Sequence, residues 1–115
     1  MATPIKTVGI AGTGLIGAGW AARLLFRGFN VVAYDVKPEA EERLKAQIKT
    51  AWPSLEALLG KPVKKGKLTF TNDLKEMASN ADFIHEAAPE REDLKIRLFR
   101  DIDAAARPDV IIASS

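Results

Sequence analysis

The run Gly12-Thr13-Gly14-Leu15-Ile16-Gly17 constrains this chain more than any other feature, because it stands where a short apolar stretch stops and a helical pattern starts. Upstream, Thr7 to Ala11 reads as a buried strand. Downstream, Ile16, Trp20 and Leu24 recur every fourth residue with Ala21 and Leu25 beside them, which predicts a helix with that stripe inward and Arg23 and Arg27 in water. In that setting the glycines have separate tasks. Gly12 permits a tight turn, Gly14 lets backbone approach a pyrophosphate with no side chain between, and Gly17 lets the helix lie close on the strand. The N–H groups and positive dipole end of the helix then face the phosphates, so Thr13, Leu15 and Ile16 join the three glycines as candidate cofactor contacts.

A glycine run alone is weak evidence of a nucleotide, but a second apolar run, Val31 to Asp35, ends in an acid at the expected distance. A carboxylate there accepts hydrogen bonds from the adenosine ribose hydroxyls and repels the 2′-phosphate of NADP. Asp35 therefore points to NAD, with Lys37 two residues on as the counter-argument. Methyltransferases also pair a glycine-rich loop with an acid ending the second strand. The third glycine and the helix beginning at Gly14 suit a dinucleotide better.

The rest of the chain alternates short apolar runs with helical patterns, which predicts one α/β domain over residues 1–115. The expected architecture is a Rossmann-type, doubly wound, mostly parallel sheet flanked by helices. Further strands are expected at Leu68 to Thr71, Phe83 to Ala87 and Val110 to Ser114. Gly28 suits a left-handed cap after the first helix, and Pro38 the first turn of the second. Ala40, Leu44, Ile48 and Ala51 form the apolar stripe of that second helix, which Pro53 is expected to break near Trp52 before a short continuation ends at Gly60. Asp73 to Ala78 reads as a short helix, and Leu94, Leu98 and Ile102 mark the last one.

Composition narrows the function further. The net charge of +2 is spread along the chain, with neither a basic stripe nor interleaved aromatics, so nucleic acid is not an expected partner. Lys61, Lys64, Lys65 and Lys67 could meet a phosphate, although a solvated loop explains them more simply. The absence of cysteine excludes thiolate metal sites and thiol nucleophiles, and no metal is expected. No apolar run approaches the ~20 residues of a spanning helix and no signal-like segment opens the chain, so a cytoplasmic protein without a membrane partner is expected.

Three segments together resemble the N-terminal NAD-binding domain of the 3-hydroxyacyl-CoA dehydrogenase family: Val8 to Trp20, Ala81 to Glu90 with Leu94-Lys95 following, and Ile111 to Ser115. Gly19-Trp20 and the Glu-Ala-Ala-Pro-Glu-Arg stretch at residues 86–91 look most like the branch with L-carnitine dehydrogenase and lambda-crystallin-like members. The resemblance implies hydride transfer from a 3-hydroxy substrate (a 3-hydroxyacyl-CoA, L-carnitine or a similar small 3-hydroxy acid) to NAD. It implies roles in fatty acid or carnitine metabolism. It also implies that Glu90 and Lys95 meet the nicotinamide-ribose end and that Ala88 lies against the cofactor through its backbone. The bland readings are that Glu90 favours a helix dipole and that Lys95 is solvated.

No catalytic residue is assigned within this chain. His85, its one histidine, is expected to be a packed strand residue, because the family's catalytic His and its acidic partner are expected beyond these residues. A helical C-terminal domain, and a homodimer for the full-length enzyme, are expected on the same ground. A stand-alone NAD-binding regulatory or sensor module without catalysis is the alternative.

Overall fold

A computed structural model of the chain describes residues 4–62, 64–87 and 92–114, with backbone only for 92–94. Five strands, β1 (Thr7–Ala11), β2 (Asn30–Tyr34), β3 (Leu68–Thr71), β4 (Phe83–Glu86) and β5 (Ile111–Ser114), alternate with four helices, α1 (Leu15–Phe26), α2 (Ala40–Leu59), α3 (Leu74–Asn80) and α4 (Glu92–Ala105). All pairings are parallel and the strand order is β3-β2-β1-β4-β5. The order reverses beside β1: β2 and β3 run off one side, β4 and β5 off the other. Open sheets of this kind bind ligands at the carboxyl ends of the strands beside such a reversal.

Alternation along the strands assigns the two faces. Val8, Ile10, Val31 and Ala33 pack with Ala18, Ala21, Leu25 and Phe26 of α1 and Leu44, Ile48 and Leu55 of α2. Ala11 and Ile84 pack on the other face with Met77 and Ala78 of α3 and Ile102 of α4. Gly9 permits that second layer to close, since a Cβ there would stand 2.6 Å from the Met77 sulfur.

The structure corrects the stripe expected on α1. Its buried residues are Gly17, Ala18, Ala21, Ala22, Leu25 and Phe26, whereas Ile16 is 59% and Trp20 42% exposed. Small residues win the inward face because they let the helix axis approach the sheet, and the bulky Ile16 and Trp20 are displaced to the flank. Arg23 and Arg27 do face water, and Gly28 takes the left-handed conformation, with φ of 92°.

The break expected at Pro53 is absent: α2 runs unbroken for 20 residues with the proline inside it. Pro53 is exposed and so is Lys49, so the carbonyl that loses its N–H partner lies on the solvent side, where hydration lessens the cost. Packing holds both halves in line. Trp52 lies 5.2 Å from the Phe26 ring, the Lys65 ammonium sits 4.9 Å above Trp52, and Leu55 is buried one turn on. Lys61, Lys64, Lys65 and Lys67 are exposed before the start of β3, at the end of the sheet away from the Gly12 turn.

Asp82 fastens the amino ends of β1 and β4, at that same end of the sheet. Its carboxylate accepts the N–H groups of Lys6 and Thr7 at 2.9 and 3.0 Å and pairs with Arg107 at 2.7 Å. Those backbone N–H groups and the guanidinium hold its pKa below the ordinary 3.8. A depressed carboxylate stabilises the fold above its unfolded value and loses that contribution as pH falls through the folded one. Asp82→Asn is therefore expected to lower the melting temperature at neutral pH, by an amount that shrinks as the buffer is taken below 3.8. Thermal unfolding across that window measures it, and a gap independent of pH would count against the assignment.

Candidate NAD-binding site

The site is built where β1 hands over to α1. The Gly12 N–H donates to the Tyr34 carbonyl at 2.9 Å, which ties the turn to the end of β2. Gly12 has φ of 103°, a conformation that costs other residues strain. A Cβ on Gly17 would overlap the Gly12 carbonyl oxygen and press on Ile10, so this glycine is required for the helix to sit where it does. Gly14 differs. A Cβ there meets nothing within 4 Å, so the space beside it is open to a ligand.

Gly14 is also the N-cap of α1, with no side-chain cap, and the Ala18 N–H bonds back to its carbonyl at 2.9 Å. The first-turn N–H groups of a helix have no partner within it, and here no acid occupies the first turn either. Leu15 and Ile16, both mostly exposed, belong to that turn. The arrangement is ready for an anion.

Asp35 lies one residue past β2, and its carboxylate reaches across to the glycine turn. Oδ2 accepts both the N–H and the hydroxyl of Thr13, at 3.1 and 2.8 Å, while Oδ1 accepts the Lys37 N–H at 3.2 Å. Burial raises the Asp35 pKa, but hydrogen bonds from the Thr13 hydroxyl and from the N–H groups of Lys37, Thr13 and Val36 outweigh it, so the net shift is downward. Asp35 is thus ionised near neutral pH and half-buried. Thr13, almost fully buried, is spent on this latch, a coupling that the glycine spacing does not reveal.

Beyond the reversal, Glu86 ends β4 opposite Ala11 and Ser114. It is fully buried, accepts the Ser114 hydroxyl at 2.8 Å, and lies 3.5 Å from the Lys95 ammonium of α4. Lys95 is accordingly engaged with a buried carboxylate at the sheet's carboxyl edge, which the solvated reading does not describe. In the sequence Glu86 figured only within the stretch at residues 86–91 that carries the family resemblance. On the opposite face His85 sets its ring 5.0 Å from Trp20, and burial pushes its pKa below the ordinary value while the Glu86 charge works the other way. It is a packed strand residue. Ala88 and Glu90 lie outside the described residues. Among the described residues there is no cluster of His, Cys, Asp and Glu able to hold a metal ion.

Comparison with known proteins matches residues 7–115 to the model of the 3-hydroxyacyl-CoA dehydrogenase NAD-binding domain. The chain belongs to the 3-hydroxyacyl-CoA dehydrogenase family. It is 47% identical over 114 residues to an L-carnitine dehydrogenase of a Pseudomonas species, covering 98% of this chain and 36% of that protein. It is 46% identical to the L-carnitine dehydrogenase of Nocardiopsis dassonvillei, covering 96% of this chain and 34% of that one. The chain spans about a third of the length of the curated relatives it matches. Among solved structures it resembles an NAD⁺-dependent 5-formyl-3-hydroxy-2-methylpyridine-4-carboxylic acid 5-dehydrogenase, with a TM-score of 0.86 and 38% identity over 96% of this chain and 37% of that one. The 3-hydroxybutyryl-CoA dehydrogenase of Escherichia coli K12 follows at 0.82 and 27%, over 97% of this chain and 25% of that one. The fold is that of Rossmann-type dehydrogenases, and this is a family NAD-binding domain. The sensor-module alternative finds no support in these comparisons.

Proposed function

We propose that this domain serves an enzyme oxidising a 3-hydroxy substrate, L-carnitine or a similar small 3-hydroxy acid ahead of a 3-hydroxyacyl-CoA, with NAD held on the residues described above. One observation carries the cofactor reading: the Asp35 carboxylate is latched to Thr13 beside the open Gly14 turn, so ribose and pyrophosphate sites form one rigid unit. In this reading Gly12, Gly14 and Gly17 shape the turn, Leu15 and Ile16 offer backbone N–H groups to the pyrophosphate, and Asp35 accepts the adenosine ribose hydroxyls and disfavours NADP. Lys95, with Glu90 and the Ala88 backbone, serves the nicotinamide-ribose end. Bound NAD supplies the hydride acceptor. The chain's own residues bind and orient it.

The substrate class rests on the identity to L-carnitine dehydrogenases. We place the general base and the substrate-reading wall outside residues 1–115, on a helical domain through which the full-length enzyme pairs as a homodimer. No described helix is long and apolar enough to cross a membrane, and we assign the protein to the cytoplasm, with carnitine or fatty acid metabolism as its setting. The 115-residue chain alone is expected to bind NAD⁺ and show no turnover of L-carnitine or 3-hydroxybutyryl-CoA. Substrate orientation supplies ~7–11 kcal/mol of such barriers, and a general base a further ~10²–10⁴ in rate. NADH formation followed by absorbance tests this, and robust turnover would overturn the placement.

A further inference from the structure

We propose that Glu86 is a positioning residue for the nicotinamide half of the cofactor, holding the Lys95 ammonium of α4 and the Ser114 hydroxyl of β5 in one geometry at the carboxyl edge of the sheet. The inference rests on the NAD reading above and extends it to a residue that touches no cofactor atom itself.

The placement follows from topology. Asp35 fixes the adenosine side at the end of β2, on one side of β1. A dinucleotide lying across the reversal must put its other half on the opposite side, over β4 and β5. Glu86 and Ser114 are register partners at the ends of those two strands, and Glu86 also faces Ala11 at the end of β1. The three polar groups come from three elements, and one carboxylate joins them.

The chemistry fits orientation better than stability. Taking a carboxylate and an ammonium out of water costs several kcal/mol per ion, so a buried pair is weak evidence of a stabilising device. Glu86 is wholly buried, whereas Lys95 retains 17% of its side-chain exposure at the sheet edge. The anchored end is in the core, and the lysine side chain keeps part of its exposure at the carboxyl edge of the sheet. An otherwise flexible lysine is thereby held before the cofactor arrives, which reduces the ordering cost of binding.

The test compares ligands with and without the nicotinamide nucleoside. In the unaltered chain NAD⁺, NADH and ADP, which keeps the adenosine and the pyrophosphate alone, all bind. In Glu86→Gln the affinities for NAD⁺ and NADH are expected to fall about tenfold, as when a charge-assisted contact is misplaced, while ADP binding stays within about twofold. Equal weakening of all three ligands would make Glu86 merely structural and overturn the proposal, as would no weakening at all. Should Glu86→Gln not fold, the unaltered chain decides through the ¹⁵N resonance of the Lys95 ammonium, assigned by its loss in Lys95→Arg. A shift on adding NAD⁺ and none on adding ADP supports the proposal, and the reverse, or identical responses, overturns it. Failure of the unaltered chain to bind ADP would overturn the NAD reading and this inference together.

Discussion

Gly14→Val yields a folded domain that has lost its cofactor, and Gly17→Ala yields the opposite failure, a domain whose fold gives way first. The difference lies in what each added group meets. At Gly14 the backbone is extended, with φ of −67° and ψ of −166°, and a Cβ finds open space, so the valine is accepted by the protein. It occupies the volume through which a pyrophosphate must approach the first turn of α1. Loss of two charge-assisted N–H contacts at about 1.5–3 kcal/mol each weakens NAD⁺ by roughly 10²–10⁴. At Gly17 the Cβ overlaps the Gly12 carbonyl, part of the turn that β1 and β2 hold rigid. Even one extra methyl there costs about 3 kcal/mol or more, because backbone has to move. Calorimetric titration and thermal unfolding separate the two. A Gly14→Val protein that binds NAD⁺ normally would place the phosphates elsewhere, and an unfolded one would contradict the open space described at that position.

The contrast shows what sequence could and could not convey. The turn, the five strands and their parallel sense were legible because each rests on local chemistry: glycines at a strand-to-helix junction, and apolar runs of strand length between helical patterns. The face of α1 was misjudged because periodicity weighs large apolar residues most. Close packing on the sheet selects Gly17, Ala18, Ala21 and Ala22 and leaves Ile16 and Trp20 on the flank. Pro53 misled for a related reason: its local penalty is real, but tertiary contacts of Trp52 and Leu55 with α1 and the core outweigh it. Asp35 was expected from its position alone to accept a ribose. That it also latches Thr13, and that Glu86 gathers Ser114 and Lys95, depends on side chains 22, 28 and nine residues apart in sequence, which no spacing rule joins.

The double role of Asp35 sets the form of the remaining large effect. Asp35→Ala is expected to weaken NAD⁺ binding by roughly a hundredfold or more, since two ribose hydroxyls lose a charged acceptor at about 1.5–3 kcal/mol each. NADP⁺ is expected to lose far less, so the preference between the two narrows, because the carboxylate that repels the 2′-phosphate is gone. The same substitution strips the buried Thr13 hydroxyl and N–H of their acceptor, at a cost of about 1–3 kcal/mol. Part of the loss in affinity therefore comes from a loosened turn. Asp35→Asn separates the two contributions: its amide oxygen still accepts from Thr13 while the Lys37 N–H loses its acceptor and the charge is gone, so the variant is expected to melt between the unaltered chain and Asp35→Ala. Titration of both variants with NAD⁺ and NADP⁺, beside their melting temperatures, resolves them. If Asp35→Ala leaves both affinities unchanged, the adenosine ribose does not lie on Asp35. If Asp35→Asn melts as low as Asp35→Ala, the latch depends on the charge itself rather than on the acceptor geometry.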